Sequence, residues 1–374
     1  MNVCPYAEKC GACDYMGMPY EEQLAKKKQF IQELFPKAKV EDVRGMEEPY
    51  HYRHKVYATF GKDRKGNIRA GIYEEESHHL IYPRDCLIQH PTANAILKDM
   101  CTLAGKMKLE VYNEDRRTGV LRHAYIRISH ATGEVMLVIV IGSREFPGSK
   151  RFVSEIRKMH PEISTVILNR NDRKTSMILG DWEKVLYGSG TITDEISGVS
   201  FRISSRSFYQ VNPVQTEKLY RTALELAEIK ESDTVLDACC GIGTISLLAA
   251  KQAGKVTGFE VVNTAVKDAV FNAKANQIRN AHFVCADEKT YLKECRETYD
   301  VIIMDPPRAG MSKEFLNSVN SSRIVYVSCN PVTQKRDTEI LKKKGYRIRR
   351  VIPFDMFPFT KHCENIVLLQ KQNP

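Results

Sequence analysis

The chain has 374 residues, of which 43% are hydrophobic and 27% are charged, and its formal net charge is +10. A chain of this length can bury one or two sizeable cores, so two domains are expected. It contains neither a run of about 18 apolar residues nor a charged-then-apolar leader, so we expect no membrane span, no export and a cytoplasmic location.

The cysteines are numerous and unevenly spaced. Their total of eleven is odd, and without an export signal this favours metal binding or catalysis over a disulfide framework. Cys4, Cys10 and Cys13 lie in a turn-rich start of the chain, and Cys86 follows a strand-like stretch that could fold back towards them. Four thiolates suit either tetrahedral zinc or a 4Fe-4S cluster, and the spacing by itself favours zinc.

The next segments predict a helix and then a hairpin. Apolar residues at helical spacing predict a helix over 19–35, with Lys26 to Lys28 on its polar side. Strands are predicted at 55–60 and 68–73, joined by a basic turn. The basic residues Lys62, Arg64, Lys65 and Arg69 and the aromatic residues Tyr57, Phe60 and Tyr73 belong to this hairpin. This combination indicates a nucleic-acid surface, although an ordinary sheet with a charged turn has the same pattern.

The middle of the chain is rich in predicted strands and the end alternates between strands and helices. A helix is predicted at 91–109, a hairpin at 124–129 and 134–141, and further strands at 164–169, 175–179 and 199–203. Asn212 is a predicted N-cap, with Pro213 as the first helical residue. The βα alternation that follows predicts parallel strands. We therefore predict an α/β protein with a β-rich domain over 1–205 and a second domain over 206–374.

The start of the second domain carries the signature of a cofactor site. The sequence VLDACCGIGT over 235–244 is a short strand followed by a Gly-x-Gly turn, where Gly241 and Gly243 allow a ligand to approach the backbone. Glu260 lies at the end of the next strand, 23 residues after Asp237, where it can accept from ribose hydroxyls. A third strand end carries Asp287. Because no phosphate loop follows, the pattern favours S-adenosyl-L-methionine, with a purely structural Glu260 as the alternative.

Two later strand ends carry reactive groups. The strand over 301–304 ends in Asp305-Pro-Pro-Arg308, and the strand over 323–328 runs into Cys329-Asn-Pro. A free cysteine is often only a small buried hydrophobe, but Pro331 has no amide for a sheet, so the strand must stop and expose Cys329. Glu364 begins the last apolar run. We predict Cys329 as a nucleophile and Glu364 as a base.

The basic residues are concentrated near these predicted strand ends. Residues 301–350 contain 11 Lys or Arg against 4 Asp or Glu. Such an excess favours a polyanionic partner, while the solvated face of a helix is an equally simple explanation for Lys342 to Lys344.

Several motifs in one order make the chain resemble the RNA uridine-5-methyltransferases over most of its length. These motifs are the four cysteines Cys4, Cys10, Cys13 and Cys86, the segments 207–212, 305–308 and 328–331, and His362-Cys-Glu364. Longer members carry an N-terminal β-barrel for RNA, and because the cysteines begin at residue 4 we expect the short form without it. The resemblance implies a Rossmann-like methyltransferase domain at the C-terminus, preceded by an RNA-recognition domain.

The resemblance also assigns roles to individual residues. It implies a 4Fe-4S cluster rather than zinc on the four cysteines, and S-adenosyl-L-methionine contacts from Gln210, Glu260 and Asp305. Cys239 stands where the family usually has an aromatic residue, so this cofactor position is carried over without its stacking contact. Cys329 and Glu364 are again nucleophile and base. We expect the site to lower the pKa of the Cys329 thiol, with Arg308 as one candidate cause.

The expected reaction is methylation of a uridine C5 atom in 23S ribosomal RNA through a covalent bond between Cys329 and C6. The cysteine cluster favours ribosomal RNA, because the transfer-RNA members of the family generally lack it. Two alternatives stay open: the same reaction on transfer RNA, and a non-catalytic iron-sulfur RNA-binding protein. The target uridine is expected in a loop or flipped out of a helix, and no protein partner is expected, so the protein is predicted to be a monomer.

Overall fold

A computed structural model describes residues 4–74, 77, 79–295 and 297–372. The chain divides into two compact units. The first unit comprises the described residues of Met1–Gly17, Pro49–Glu195 and Arg202–Ser205, and the second comprises those of Met18–Glu48, Ile196–Phe201 and Arg206–Pro374. The sequence predicted one boundary after residue 205, whereas the structure assigns residues 18–48 to the same unit as the C-terminal part. None of the helices formed by the described residues is long and apolar enough to cross a membrane.

The first unit is built on one seven-stranded sheet. Its elements are β1 (Lys55–Lys62), β2 (Ile68–Tyr73), β3 (Leu80–Ile81), α2 (Pro91–Lys106), β4 (Leu121–Ile128), β5 (Val135–Ile141), α3 (Ser149–Met159), β6 (Ile163–Arg170) and β7 (Trp182–Tyr187). The strand order is β3-β2-β1-β4-β5-β6-β7, and only β5 and β6 are parallel. The helix α3 forms the crossover connection between these two parallel strands. The apolar residues of α2 and α3 pack with the sheet in one core.

Two predictions for this unit are wrong. The predicted strand at 175–179 is a series of bends, and the seventh strand is β7, whose side chains are almost all exposed. An edge strand without a buried face has no alternating pattern to read. Phe60, predicted to help form a nucleic-acid surface, is only 2% exposed and belongs to the core, whereas Tyr57 is 45% exposed.

The second unit is a doubly wound sheet. Its elements are α1 (Tyr20–Leu34), α4 (Pro213–Ala227), β10 (Thr234–Ala238), α5 (Thr244–Ala250), β11 (Lys255–Glu260), α6 (Asn263–Ala275), β12 (Ala281–Cys285), α7 (Glu288–Glu294), β13 (Val301–Met304), α8 (Lys313–Ser318), β14 (Arg323–Ser328), α9 (Pro331–Lys343), β15 (Tyr346–Phe354) and β16 (Glu364–Lys371). A separate two-stranded sheet is formed by β8 (Thr191–Ile196) and β9 (Val199–Ser204).

The strand order of the second unit decides where its strand ends meet. The order is β12-β11-β10-β13-β14-β16-β15, with the first five strands parallel and the last two joined antiparallel. From β10 the chain first adds strands on one side of the sheet, β11 and β12, and then continues on the other side with β13. Ligands of such sheets bind at this switch point, outside the carboxyl ends of the strands. The predicted α/β fold with parallel βα units is confirmed.

Local signals explain how α4 begins. Asn212 is its N-cap and accepts a hydrogen bond from the Gln215 amide at 3.2 Å, and Pro213 is the first helical residue. Both features were predicted. The Asn212 side chain satisfies one amide that the first turn leaves free, and Pro213 has no amide that needs a partner.

Candidate active site

Strand register brings Cys329 and Glu364 together. β14 ends at Ser328, which pairs with Asn365 on the antiparallel strand β16. One step further along this register, Cys329 faces Glu364, the first residue of β16. Gln334 on α9 supports the register, because its amide nitrogen donates to the carbonyls of Tyr326 and Asn365 at 2.8 and 3.0 Å.

The turn that carries Cys329 is fixed by short polar contacts. The Asn330 amide donates to Ser328 Oγ at 3.0 Å, and Asn330 caps α9 by accepting from the Val332 amide at 3.2 Å. Asn330 Nδ2 and Thr333 Oγ1 both donate to the carbonyl of Arg308, at 2.9 and 3.2 Å. The thiol-bearing turn and the turn after β13 are therefore joined directly.

The thiol of Cys329 is partly buried and its pKa is raised to about 11. Burial is the largest cause, followed by the carboxylates of Glu364 and Asp305. Arg308 opposes this shift through its charge and a hydrogen bond to the thiol. The expected lowering of the pKa is therefore wrong for the protein without ligands, because one exposed guanidinium is outweighed by desolvation and two carboxylates.

Glu364 lies in an unusual environment for a carboxyl group. It is 2% exposed, and its Oε2 atom has no hydrogen-bond partner among the described residues. Burial and then the Asp305 carboxylate raise its pKa well above the ordinary value, while Arg308 lowers it. A carboxyl group held in this way is a strong base once it is ionised, so it can accept a proton only in its carboxylate form.

The loop before Glu364 is held from α1 by buried polar groups. Lys27 Nζ forms an ion pair with Asp355 Oδ1 at 2.5 Å, and both side chains are fully buried. Tyr20 donates to the other Asp355 oxygen at 2.7 Å, and Gln23 Oε1 accepts from the Phe359 amide at 3.0 Å. The prediction that Lys27 lies on the polar side of the helix is therefore wrong. The helix fixes the loop from which β16 starts.

The predicted cofactor residues lie along the same edge of the sheet. Glu260 ends β11, and its two carboxylate oxygens accept from the amides of Gly241 and Val262 at 3.2 and 2.9 Å. Gly243 has a φ of 83°, and a Cβ there would lie 2.9 Å from the ring of Phe283. Cys239 also has a positive φ, of 66°. These contacts fold the chain after β10 into a tight turn that can admit a ligand close to its backbone.

Asp305, Gln210 and Tyr220 extend this edge. Asp305 follows β13 directly, and burial raises its pKa to about 7 although part of the residue reaches solvent. The buried hydroxyl of Tyr220 is hydrogen-bonded to the side chains of Gln210 and Thr244, and burial and then the Asp305 charge raise its pKa. Sequence reasoning counted Tyr220 only as an apolar residue of a helix face, since its hydroxyl gives no local signal.

Two other acidic residues have structural roles. Asp237 is fully buried in β10 and accepts from Ser246 Oγ at 2.5 Å, and burial raises its pKa to about 7. Asp287 caps α7 by accepting from the Thr290 amide at 2.7 Å. The three acidic strand ends noted in the sequence thus differ, because Glu260 alone among them accepts from an amide of the Gly-x-Gly turn, that of Gly241.

In the first unit, the cysteines of the predicted cluster come together. Cys4, Cys10, Cys13 and Cys86 all line one small pocket. Burial and then the neighbouring thiols of Cys86 and Cys10 raise the pKa of Cys13 to about 12. Across the described residues, however, no three His, Cys, Asp or Glu side chains are arranged to hold a metal ion. The thiols share a cavity without forming a closed single-ion site.

Comparisons with known proteins agree with one another. The profile of a family described as tRNA (Uracil-5-)-methyltransferase matches residues 19–372. An uncharacterized RNA methyltransferase of Halalkalibacterium halodurans is 40% identical over 384 residues, which covers 99% of this chain and 83% of the relative. One from Bacillus cereus is 38% identical over 380 residues, covering 98% and 82%.

Among solved structures, the chain is similar to the Pyrococcus abyssi tRNA (uracil-54, C5)-methyltransferase in complex with S-adenosyl-L-homocysteine. The TM-score is 0.81 and the sequence identity is 26%. The match covers 96% of this chain and 86% of the other.

Replacement of Lys27 by methionine tests the hold of α1 on the Glu364 loop. We expect Lys27→Met to lower the free energy of unfolding by about 3–5 kcal/mol, because Asp355 is left as an uncompensated buried charge. The control Lys26→Met, at a lysine that is 48% exposed, should change it by less than about 0.5 kcal/mol. Urea denaturation measures both values, and equal effects of the two variants would contradict the buried pair.

The orphaned carboxyl of Glu364 predicts a pH-dependent stability. Its pKa is raised in the folded state, so the folded protein binds this proton more tightly and loses stability as pH rises above the ordinary pKa of the unfolded chain. Glu364→Gln removes this titration. We expect this variant to be more stable than the wild type at about pH 8, with a difference that shrinks towards about pH 4.5.

Denaturation curves at a series of pH values measure this difference, with Glu314→Gln on the exposed surface of α8 as the control. A difference between Glu364→Gln and the wild type that stays constant across the pH range would contradict the raised pKa.

Proposed function

The chain belongs to the tRNA (uracil-5-)-methyltransferase family, and from this premise we propose that it methylates C5 of a specific uridine in 23S ribosomal RNA through a covalent bond between Cys329 and C6. Family membership makes it an S-adenosylmethionine-dependent RNA (uracil-5)-methyltransferase. The proposal adds the identity of the RNA and the roles of individual residues.

The observation that carries the proposal is the pairing of β14 with β16. It brings a partly exposed thiol opposite a buried carboxyl group, at an edge where Arg308 and Asp305 also contribute. Uracil C5 is a weak nucleophile, and addition of a thiolate at C6 raises its electron density. A thiol and a proton acceptor facing each other are the two groups that this route requires.

The proposed reaction has three stages. Arg308 stabilises the Cys329 thiolate, which forms when the thiol releases its proton to solvent. The thiolate then bonds to C6, and the electrons of the C5–C6 double bond move into the ring as an enolate, which makes C5 nucleophilic. When bound, S-adenosylmethionine would supply an electrophilic methyl group to C5, with the bond from that methyl group to the sulfonium breaking to leave a neutral thioether. Glu364, in its carboxylate form, then removes the C5 proton, the electrons of that C–H bond restore the C5–C6 double bond, and the bond between C6 and sulfur breaks to release Cys329 as a thiolate.

We assign cofactor binding to Gln210, Cys239, Glu260 and Asp305. In support, Glu260 ends β11 beside the Gly241 turn, and in such sheets an acidic residue there accepts from ribose hydroxyls. Gln210 is hydrogen-bonded to Tyr220, and Asp305 follows β13, which pairs with β10. A cationic sulfonium next to Asp305 would also lower the raised pKa of that carboxyl group, so bound cofactor and ionised Asp305 stabilise each other.

We further propose that Cys4, Cys10, Cys13 and Cys86 hold a 4Fe-4S cluster. All four line one pocket, and four cysteine thiolates are the ligand set of a 4Fe-4S cluster. Uridine methylation requires no electron transfer. The cluster would instead tie residues 4–13 to the segment around Cys86 and so shape the RNA-binding surface of the first unit.

The cysteines also support ribosomal RNA as the substrate, because the transfer-RNA members that the chain resembles generally lack them. Transfer RNA is the second candidate, favoured by the similarity to the Pyrococcus abyssi enzyme. In either case we propose a monomer acting in the cytoplasm.

Deletion of the gene tests the proposed substrate. We expect 5-methyluridine to disappear from a specific position of 23S ribosomal RNA, while transfer RNA is unchanged. Mass spectrometry of nuclease digests of both RNA pools measures this. Wild-type protein should restore the modification, and Cys329→Ala should not. Loss from transfer RNA alone would contradict the ribosomal assignment, and restoration by Cys329→Ala would contradict the mechanism.

Removal of the cluster tests its structural role. Protein purified without oxygen should contain about four iron atoms per chain, and Cys13→Ser should lower this content. We expect the variant to bind RNA more weakly and to methylate it more slowly, because the segment around Cys86 is no longer connected to residues 4–13 through the cluster. An unchanged methylation rate in a folded, iron-free variant would contradict the role, and four-thiolate zinc in the wild type would contradict the cluster.

A further inference from the structure

Two adjoining pockets lie between α2 and the β1–β2 hairpin of the first unit. One has a volume of about 640 Å³ and the other about 660 Å³, and both are lined by Arg69, Cys101 and Thr102. We call the two together the α2 groove. Its lining residues belong to the first unit, whereas Cys329 and Glu364 belong to the second, and the sequence prediction for the hairpin did not include α2.

The charge of the α2 groove is positive. Its basic residues are Lys62, Arg69, Arg84, Lys98, Lys106 and Lys108, and its acidic residues are Asp63, Asp85 and Glu110. Asp63 is already neutralised, since it accepts from Arg69 Nε at 2.9 Å and from the amides of Lys65 and Asn67. Five basic side chains therefore face two remaining carboxylates.

The remaining basic side chains are available to a ligand. Lys62, Arg84, Lys98, Lys106 and Lys108 are exposed, and none forms an ion pair with another residue in the described part of the chain. Lys106 and Lys108 also suit the C-terminal end of α2, where a positive charge is favourable. That explanation does not cover Lys62, Arg84 or Lys98, which are elsewhere along the groove.

An aromatic ring lines the same groove. A Cβ at Gly61 would lie 2.2 Å from Tyr82 Oη, and a Cβ at Gly71 would lie 2.8 Å from Tyr82 Cδ1. The two glycines of β1 and β2 thus leave room for the ring against the sheet. Tyr82 lines the groove and is half-buried. Flat rings beside basic side chains are the elements with which proteins hold single-stranded nucleic acid.

We propose that the α2 groove binds the sugar-phosphate backbone of a single-stranded RNA segment connected to the target uridine, with Tyr82 stacking on one base. The inference rests on the proposed function and adds to it the path of the RNA on the first unit. Pro83 and Cys86 line both this groove and the cysteine pocket, so the segment that the cysteines fix is also a wall of the groove.

A triple charge-neutral variant tests the groove. We expect Lys98→Gln/Lys106→Gln/Lys108→Gln to bind poly(U) more weakly and to reduce the slope of log affinity against log salt concentration by about 2, that is, about 0.7 for each lost phosphate contact. On ribosomal RNA from the deletion strain, KM should rise while kcat stays within about twofold, because the groove binds RNA but does not take part in the chemistry.

A matched variant controls for net charge. Lys150→Gln/Arg151→Gln/Lys158→Gln removes the same charge from the exposed surface of α3 in the same unit. It should leave the salt slope and KM close to wild type. Equal effects of the two triple variants, or an unchanged slope and KM in the α2 variant, would overturn the groove. Wild-type protein that methylates no RNA at all would instead refute the proposed function, so the two failures are distinguishable.

Discussion

The antiparallel pairing of β14 with β16 is the constraint on which the candidate site depends. The two strands are separated in sequence by α9, β15 and a loop, and their pairing brings Cys329 to Glu364. A slip of one residue would turn every side chain of β16 to the other face of the sheet. Gln334 opposes such a slip, because it is bonded to the backbone of both strands and its Oε1 accepts from Asn365 Nδ2 at 2.7 Å.

This arrangement concentrates carboxyl groups in a region of low dielectric constant. Asp237, Asp305 and Glu364 all have raised pKa values, with burial as the main cause. Without a bound cation such groups reduce the stability of the fold. If the proposed sulfonium cofactor binds beside Asp305, its positive charge offsets part of that cost. Buried carboxyl groups without a partner are rare in the rest of a fold, but functional sites often contain such exceptions.

Much of the fold and the site was readable from local sequence. The cap at Asn212, the glycine turn after β10 and the proline after Cys329 are signals whose physical meaning does not depend on distant residues. The parallel order of the strands followed from the alternation of strands and helices. The edge on which Glu260, Asp305 and Cys329 meet then follows from sheet geometry, since parallel strands end on the same side.

The remainder depends on long-range contacts. The run Lys26 to Lys28 has the pattern of a solvated face, and nothing near it reveals that Lys27 pairs with Asp355, 328 residues away. The edge strand β7 lacked a buried face, and the hydroxyl of Tyr220 is recognisable as part of the site only once Gln210 is beside it. The direction of the Cys329 pKa shift was predicted wrongly because the burial of the thiol, which is its largest cause, is set by the packing of the fold and cannot be read from local sequence.

The most direct test of the account is a search for the covalent bond itself. RNA containing 5-fluorouracil at the target position has no C5 proton for Glu364 to remove, so the reaction should stop after methyl transfer. Incubation with S-adenosylmethionine, followed by denaturation and mass spectrometry of protease fragments, should identify the RNA adduct on the peptide that contains Cys329. No adduct with the wild-type protein, or an adduct that persists in Cys329→Ala, would contradict it.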